Sequence, residues 1–357
     1  MNFMRDRKTI QFLSIIIIFS IFLTPSVISE DENVTDETFT TIQEAIDATF
    51  EGDTVYIYGG EYVGDIIVNK SLTLEGKSIN GYNPTIVGNL TVAADNVTIS
   101  NLIIKNGSGI VIKGFIGTGY SNIIYYNNTI KNNIILNSSS YGIYLYWAYY
   151  TNITGNTIKN NEKGIRLQYA GYNNIYENTI ENNKQDGIYC AYSWENSFYK
   201  NIIQRNKHGF YFDFYFDENK IYENTITNNT EFGIYHLLDN NIPNTIFHNN
   251  FIKNTKHVFD GGKNYWNDSQ LKEGNYWDNY TGKDLNPQDG IGDSPYDIFG
   301  SNIQDNFPLM SPYSGRITLE KYIVNEDTVQ LMLVVGIIVV IIFCIPIGLW
   351  WRKKYFK

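Results

Sequence analysis

Residues 152–166 read NITGNTIKNNEKGIR and residues 174–188 read NIYENTIENNKQDGI; the frame returns at 197–210 as SFYKNIIQRNKHGF. Each copy ends on a glycine followed by Ile or Phe, and the glycines Gly142, Gly164, Gly187, Gly209 and Gly233 stand about 22 residues apart. A second column runs Ile130, Ile153, Ile175, Phe198, Ile221, Ile246, and a third Ile135, Ile158, Ile180, Ile203, Ile226, Ile252. Three columns drifting in step mark an internal repeat. Leucine-rich repeats share the period, but Leu is scarce here and Asn, Ile and Tyr dominate. Each unit holds three short strand-like pieces, such as Ile153-Thr154, Thr157-Ile158-Lys159 and Gly164-Ile165-Arg166-Leu167, split by Asn or Gly turns. The pattern predicts an all-β chain: a single-stranded parallel β-helix with three strands per turn and turns about 4.8 Å apart.

Similar strand-like pieces lie at 54–58, 66–68, 72–74, 90–92 and 97–99, so the coil starts well before the clear repeats and spans 51–260 in about ten turns. Gly109 and Gly142 are too far apart for one turn; an insertion of about ten residues is expected at 113–120 (KGFIGTGY). Within 30–50, TIQEAIDA (41–48) reads as a short amphipathic helix with a Thr41/Glu44 capping box. Such a helix would cover the open edge and apolar core at the coil's N-terminal end. Residues 261–312 form a capping block at the other end. Asn161, Asn183, Asn206 and Asn229 share one turn position. They either stack as a hydrogen-bonded ladder along the axis or serve as tolerant left-handed turn residues.

The chain of 357 residues has a net charge of −10, 15% aromatic and 18% charged residues. That balance excludes a disordered chain and a broad basic nucleic-acid face. Two cysteines, Cys190 and Cys344, without a CxxC exclude a disulfide scaffold and a zinc ribbon. Residues 1–29 read as a signal peptide or signal anchor, with Arg5, Arg7 and Lys8 before an apolar run at 10–23. Residues 329–351 are almost wholly apolar and are followed by Arg352, Lys353, Lys354 and Lys357. They predict one membrane-spanning helix with residues 352–357 cytoplasmic and a short stalk at 313–328. The large middle part is then extracellular.

In the strand after each glycine, Ile143, Ile165, Ile188, Phe210 and Ile234 point inward. The next residues, Tyr144, Arg166, Tyr189, Tyr211 and Tyr235, point outward. The outward set two further on is Tyr146, Gln168, Ala191, Asp213 and Leu237. A vertical tyrosine row broken by one arginine could stack on the sugars of an extended glycan, with hydroxyls bonding. It could equally stabilise the sheet itself. Cys190 and His236 fall in an inward column with Phe212, as core fillers.

TIQEAIDA with GDTVYIYGGEY, NKSLTLEG and NVTISNLII resembles the opening of NosD-like right-handed β-helix proteins of the carbohydrate-binding and sugar-hydrolase type, frequent on archaeal surfaces. GNYWDNYTG (274–282), DGIGDSPYDI (289–298) and DNFPLM (305–310) resemble their C-terminal block. The resemblance implies a right-handed, pectate-lyase-like coil over residues 40–312. It leaves function open, because the fold hosts lyases, hydrolases, epimerases and binders. NosD itself is associated with copper delivery. The candidate soft or imidazole ligands here, Cys190, Met310, His208, His236, His248 and His257, form no HxH or MxxM cluster.

A hydrolase or lyase of this fold would need clustered carboxylates with a basic residue, for which Asp213 and Arg166 are candidates. Asp284, Asn286, Asp289 and Asp293 offer oxygen ligands at short spacing among glycines, so they could hold Ca²⁺ or merely close a turn. Eleven N-x-[ST] sequons precede the membrane segment, including Asn33, Asn69, Asn89, Asn127, Asn152 and Asn279. The expected role is non-catalytic: binding or scaffolding cell-envelope glycans or surface proteins. Polysaccharide lyase, hydrolase or epimerase activity is one alternative, and a copper accessory role another.

Overall fold

The computed structural model describes residues 15–19, 26–30, 39–116, 122–238 and 242–314. They form a coil of three parallel sheets with 11, 10 and 9 strands. The third sheet's 9 strands count one turn fewer than the length of the repeat suggests. In the first sheet Ile130, Ile153, Ile175, Phe198, Ile221 and Ile246 are paired in register. In the second, Ile135, Ile158, Ile180, Ile203 and Ile226 follow suit, but Phe251 takes the next inward place and Ile252 turns out. The turn lengthens there, and the slip of one residue exchanges faces. All these inward side chains are fully buried, so the core of these turns is built of stacked columns dominated by Ile and Phe.

Asparagine ladders run along all three corners, where one was expected. Asn173, Asn196, Asn219, Asn244 and Asn264 enter the first sheet. The longest passes from Asn133 through Asn156, Asn178, Asn201, Asn224 and Asn249 to Asn275. The expected column continues from Asn161, Asn183, Asn206 and Asn229 to Asn254. At Asn183, for example, the backbone N–H and Nδ2 both donate to Asn206 Oδ1 at 3.0 Å, while Nδ2 also donates to Ile158 O. The left-handed residues are the ones immediately before, Asn160 (φ 58°), Asn182 (φ 55°) and Asn228 (φ 54°). The ladder and the turn chemistry are thus divided between two adjacent residues.

Gly187 is fixed by close approach. A Cβ there would sit 2.7 Å from Gly209 O and 2.8 Å from Ile203 Cγ2. Gly187→Ala is therefore expected to destabilise the coil by about 2–4 kcal/mol, read as a lower urea midpoint.

The helix Ile42–Ala48 carries the capping box and buries Ile42, Ala45 and Ile46 over the N-terminal end. At the other end Trp266, Trp277, Ile298 and Leu309 close the core, with Trp277 stacked on Phe251 at 4.3 Å. The expected insertion is a hairpin, Phe115–Ile116 against Asn122–Ile123. Ile15–Phe19 pairs antiparallel with Ser26–Glu30 and parallel with Thr54–Tyr58. The rest of the expected leader, and the stalk beyond 314, membrane segment and basic tail, lie outside the described residues. Among the described residues no helix is long and apolar enough to cross a membrane.

Candidate functional site

The third sheet builds the tyrosine row as the alternation requires. Tyr144, Arg166, Tyr189, Tyr211 and Tyr235 are consecutive register partners, and Phe259 extends the row. The rings lie on one another: Tyr189–Tyr211 centroids are 5.4 Å apart, Tyr211–Tyr235 5.3 Å and Tyr235–Phe259 5.1 Å. The Arg166 guanidinium fills the break, 5.1 Å from the Tyr144 centroid and 5.3 Å from that of Tyr189. The turn spacing is also the stacking distance of aromatic rings, so neighbours occupy each other's faces. What the row presents outward is ring edges and hydroxyls.

Tyr144 donates to Gln168 Oε1 at 2.9 Å and Tyr189 to Asp213 Oδ2 at 2.7 Å. Burial pushes the Tyr144 hydroxyl up to about 12. Burial, then the bond to Asp213, raises Tyr189 well above the usual phenol range. Asp213 thus belongs to Tyr189. Arg166 donates to Gln168 Oε1 at 2.7 Å and to the Tyr141 hydroxyl, so the two candidate residues are not brought together. Arg166 makes no ion pair among the described residues: its partners are neutral.

A second column escaped the sequence reading. The residues just before the glycines, Lys163, Asp186 and His208, form a chain across successive turns. Lys163 Nζ lies 2.6 Å from Asp186 Oδ2 and 4.1 Å from the Tyr189 centroid. His208 Nδ1 lies 2.8 Å from Asp186 Oδ1, and its Nε2 3.1 Å from Glu231 Oε2. Burial raises the Asp186 carboxyl, but the bond with His208 and the charge of Lys163 outweigh it and hold the group below the ordinary range. The signal was present: all three stand at the same offset from the repeat glycine as Tyr141. Two more aromatic rows were also missed. Tyr176, Tyr199 and Tyr222 stack at 4.9 and 5.0 Å on the first sheet. Trp147, Tyr169 and Tyr192 stack at 4.7 and 4.8 Å along the corner before it.

Cys190, Phe212, His236 and Asp260 are register partners in the core, all fully buried. Burial pushes the Cys190 thiol up, the state of an inert core sulfur. His236 Nδ1 is 3.0 Å from Asp260 Oδ1, and Trp266 donates to Asp260 Oδ2 at 2.8 Å. Burial raises Asp260, yet these bonds keep it below the carboxylate range. His248 pairs with Glu273 and His257 with Asp278. Each histidine is thus committed to its own carboxylates.

In the loop from Asp284 to Asp293, Asp284 accepts the N–H groups of Asp289 and Gly290, Asp289 that of Ile291, and Asp293 that of Leu285. These carboxylates close turns within the loop, and no hydrogen bond of Asn286 joins them. Among the described residues no group of three or more His, Cys, Asp or Glu is placed to hold a metal ion.

Comparisons with known proteins agree with this geometry at the level of the fold. Residues 123–276 match the family described as right handed beta helix region. A stretch of 122 residues, 32% of this chain, is 38% identical to a cell surface glycoprotein of Methanothermus fervidus. The chain spans only 18% of that relative's length. Among solved structures, pectate lyase Pel9A superposes with a TM-score of 0.51 at 14% identity, over 67% of this chain and 69% of that one. The A-module of the mannuronan C-5 epimerase AlgE6 of Azotobacter vinelandii gives 0.48 at 15% identity, over 66% and 70%. The chain is therefore a parallel β-solenoid of pectate-lyase-like fold with a right-handed β-helix region, distantly related to an archaeal cell surface glycoprotein.

Proposed function

We propose that this protein is displayed outside the cell on a membrane anchor at residues 329–351, and that the solvent face of its third sheet binds an acidic glycan without cleaving it. The observation that carries the reading is Arg166. It is a half-buried guanidinium in a chain of net charge −10, and it is held by Tyr141, Gln168 and three ring faces rather than by an acid. A guanidinium so placed offers its fork to a carboxylate or sulfate. The hydroxyls of Tyr189, Tyr211 and Tyr235 recur along the same face at turn spacing, with that of Tyr144 two turns before Tyr189, a repeat suited to a polymer of hydroxylated rings. Since the ring faces are covered, recognition rests on hydroxyls, ring edges and charge. The likeness to a cell surface glycoprotein supports the location.

The test is binding of the purified full chain to acidic and neutral polysaccharides, with and without Ca²⁺, followed by mass spectrometry of the bound glycan. Arg166→Ala is expected to weaken acidic glycans by roughly tenfold or more, about 1.4 kcal/mol, and to leave neutral ones unchanged. Equal binding by wild type and variant sinks the reading. Loss of binding on chelation would show that binding needs a divalent cation, and persistence of that loss in an Asp284→Ala/Asp293→Ala variant with wild-type binding before chelation would place the cation outside the loop of Asp284, Asn286, Asp289 and Asp293. A second reading, catalysis on the same substrate, is favoured by the chain Lys163–Asp186–His208–Glu231 beside Arg166 and Tyr189. Shortened or unsaturated product would establish it. Absence of any glycan binding would leave a scaffold role toward neighbouring surface proteins.

A further inference from the structure

Two adjacent residues at each corner have opposite fates, and this decides which sequons can be used. The ladder asparagines are buried, apart from half-buried Asn254 at the end of the third ladder. In the first two ladders the residue two positions on points into the core: Ile158 after Asn156, Phe198 after Asn196, Trp277 after Asn275. Core packing demands an apolar residue there, so no Ser or Thr can complete a sequon on those asparagines. Between Asn96 and Asn228 the corner residue one earlier is left-handed and, apart from half-buried Glu223, exposed, and its second successor lies outside the core.

Five sequon asparagines occupy that corner place: Asn96, Asn106, Asn127, Asn137 and Asn228. All are exposed, with φ between 54° and 62°. Asn96 and Asn127 sit on neighbouring turns at the corner entering the first sheet, whereas Asn106, Asn137 and Asn228 share the corner between the second and third. Exposed Asn101 and Asn132, at the remaining corner, are followed two residues on by Ile103 and Ile134 and carry no sequon. Asn89 and Asn152 do carry sequons but are half-buried. Asn89 donates to Asp65 Oδ1 and accepts from Ser108 N, while Asn152 accepts from Asn174.

We infer that Asn96, Asn106, Asn127, Asn137 and Asn228 are N-glycosylation sites, arranged as two columns of glycans along the coil that leave the outward face of the tyrosine row bare. The inference rests on the external display proposed above. In the transfer, the Asn Nδ2 attacks C1 of an oligosaccharide carried on a lipid phosphate or diphosphate. The N–C1 bond forms, the C1–O bond breaks, the lipid phosphate leaves with the electron pair, and the amide loses one proton to solvent.

The experiment is glycopeptide mass spectrometry of the full chain made in a host with N-glycosylation machinery, alongside protease shaving of intact cells. Glycan mass is expected on the five corner peptides, with Asn89, Asn132 and Asn152 bare. Thr129→Ala should strip Asn127 alone, and Thr230→Ala Asn228 alone; both threonines lie outside the core, so folding is preserved. Bare corners, or glycans on Asn89 and Asn152 instead, overturn the inference. If the corners are bare and the domain is shaved from cells, the modification alone has failed. If they are bare and the domain is protected, the surface reading has failed with it.

Discussion

Asn201→Leu is expected to lower the stability of the coil by about 4 kcal/mol, a large share of the stability of most domains. Asn201 Oδ1 accepts the Asn178 N–H at 3.0 Å, and its Nδ2 donates to Ile175 O at 2.8 Å. Leucine has similar bulk but neither group, so a buried N–H and a buried carbonyl are orphaned at once, at about 1–3 kcal/mol each. Asn178 Nδ2 keeps Ile153 O and Tyr176 O, and Asn224 Oδ1 keeps the Asn201 N–H, which limits the damage to those two groups. Asn160→Gly, at an exposed left-handed position, should cost well under about 1 kcal/mol. Urea unfolding followed by circular dichroism separates the two. Equal midpoints for both variants would show that the ladder contributes nothing beyond turn geometry.

The second large effect concerns the carboxylate that ends the longest ladder. Asp305 is fully buried; its Oδ2 accepts from Asn275 N at 2.7 Å and Trp277 Nε1 at 2.9 Å, and its Oδ1 from Phe307 N at 3.1 Å. Burial pushes its carboxyl up to about 6, against the pull of those donors. The folded value lies above the unfolded one, so the neutral acid is favoured by the fold. The corresponding stability is complete below about pH 4, declines as pH rises, and is gone above about pH 6, a change of roughly 3 kcal/mol. Asp186 and Asp260 act the opposite way, losing their contribution as pH falls through their depressed values. His257, held below its ordinary value by burial, loses stability as pH falls through the same range, so the Asp305 contribution is read from the difference between wild type and variant. Asp305→Asn should flatten the decline between about pH 4 and 6, and Asp305→Ala should weaken the C-terminal end at every pH by orphaning Trp277 Nε1. Urea midpoints measured from pH 4 to 7 decide it; a slope shared by wild type and Asp305→Asn would remove Asp305 as the cause.

The sequence carried the fold because the repeat writes the same geometry many times over. Ile153, Ile175 and Phe198 can only be inward if the residues on either side of each turn outward, so register, inward columns and tyrosine row follow together. What escaped it depended on side-chain direction. Whether Asn161 or Asn160 adopts the left-handed turn is invisible in an Asn-Asn pair. Whether a tyrosine shows its face or its edge depends on the ring one turn above. Lys163, Asp186 and His208 differ in type, and a column of unlike residues leaves no periodic trace although it aligns as well as the isoleucines do. Ile252 was misplaced because one longer turn shifted the frame by one residue.

The ladders also give the molecule an electrical direction. Each ladder amide sends one hydrogen to the oxygen of the next ladder residue toward the C-terminus and turns its own oxygen to the previous one, so that component of their dipoles adds head to tail, as peptide dipoles do in a helix. The positive ends arrive at Asp260, Asp305 and the His257–Asp278 pair, which accept hydrogens and pass none onward. Two such coils meeting end to end could continue the pattern only in the same direction, a join that repeats without closing and grows filaments. The acidic stops take the last ladder hydrogens within the chain itself, so they leave the pattern no donor to hand on to a second coil.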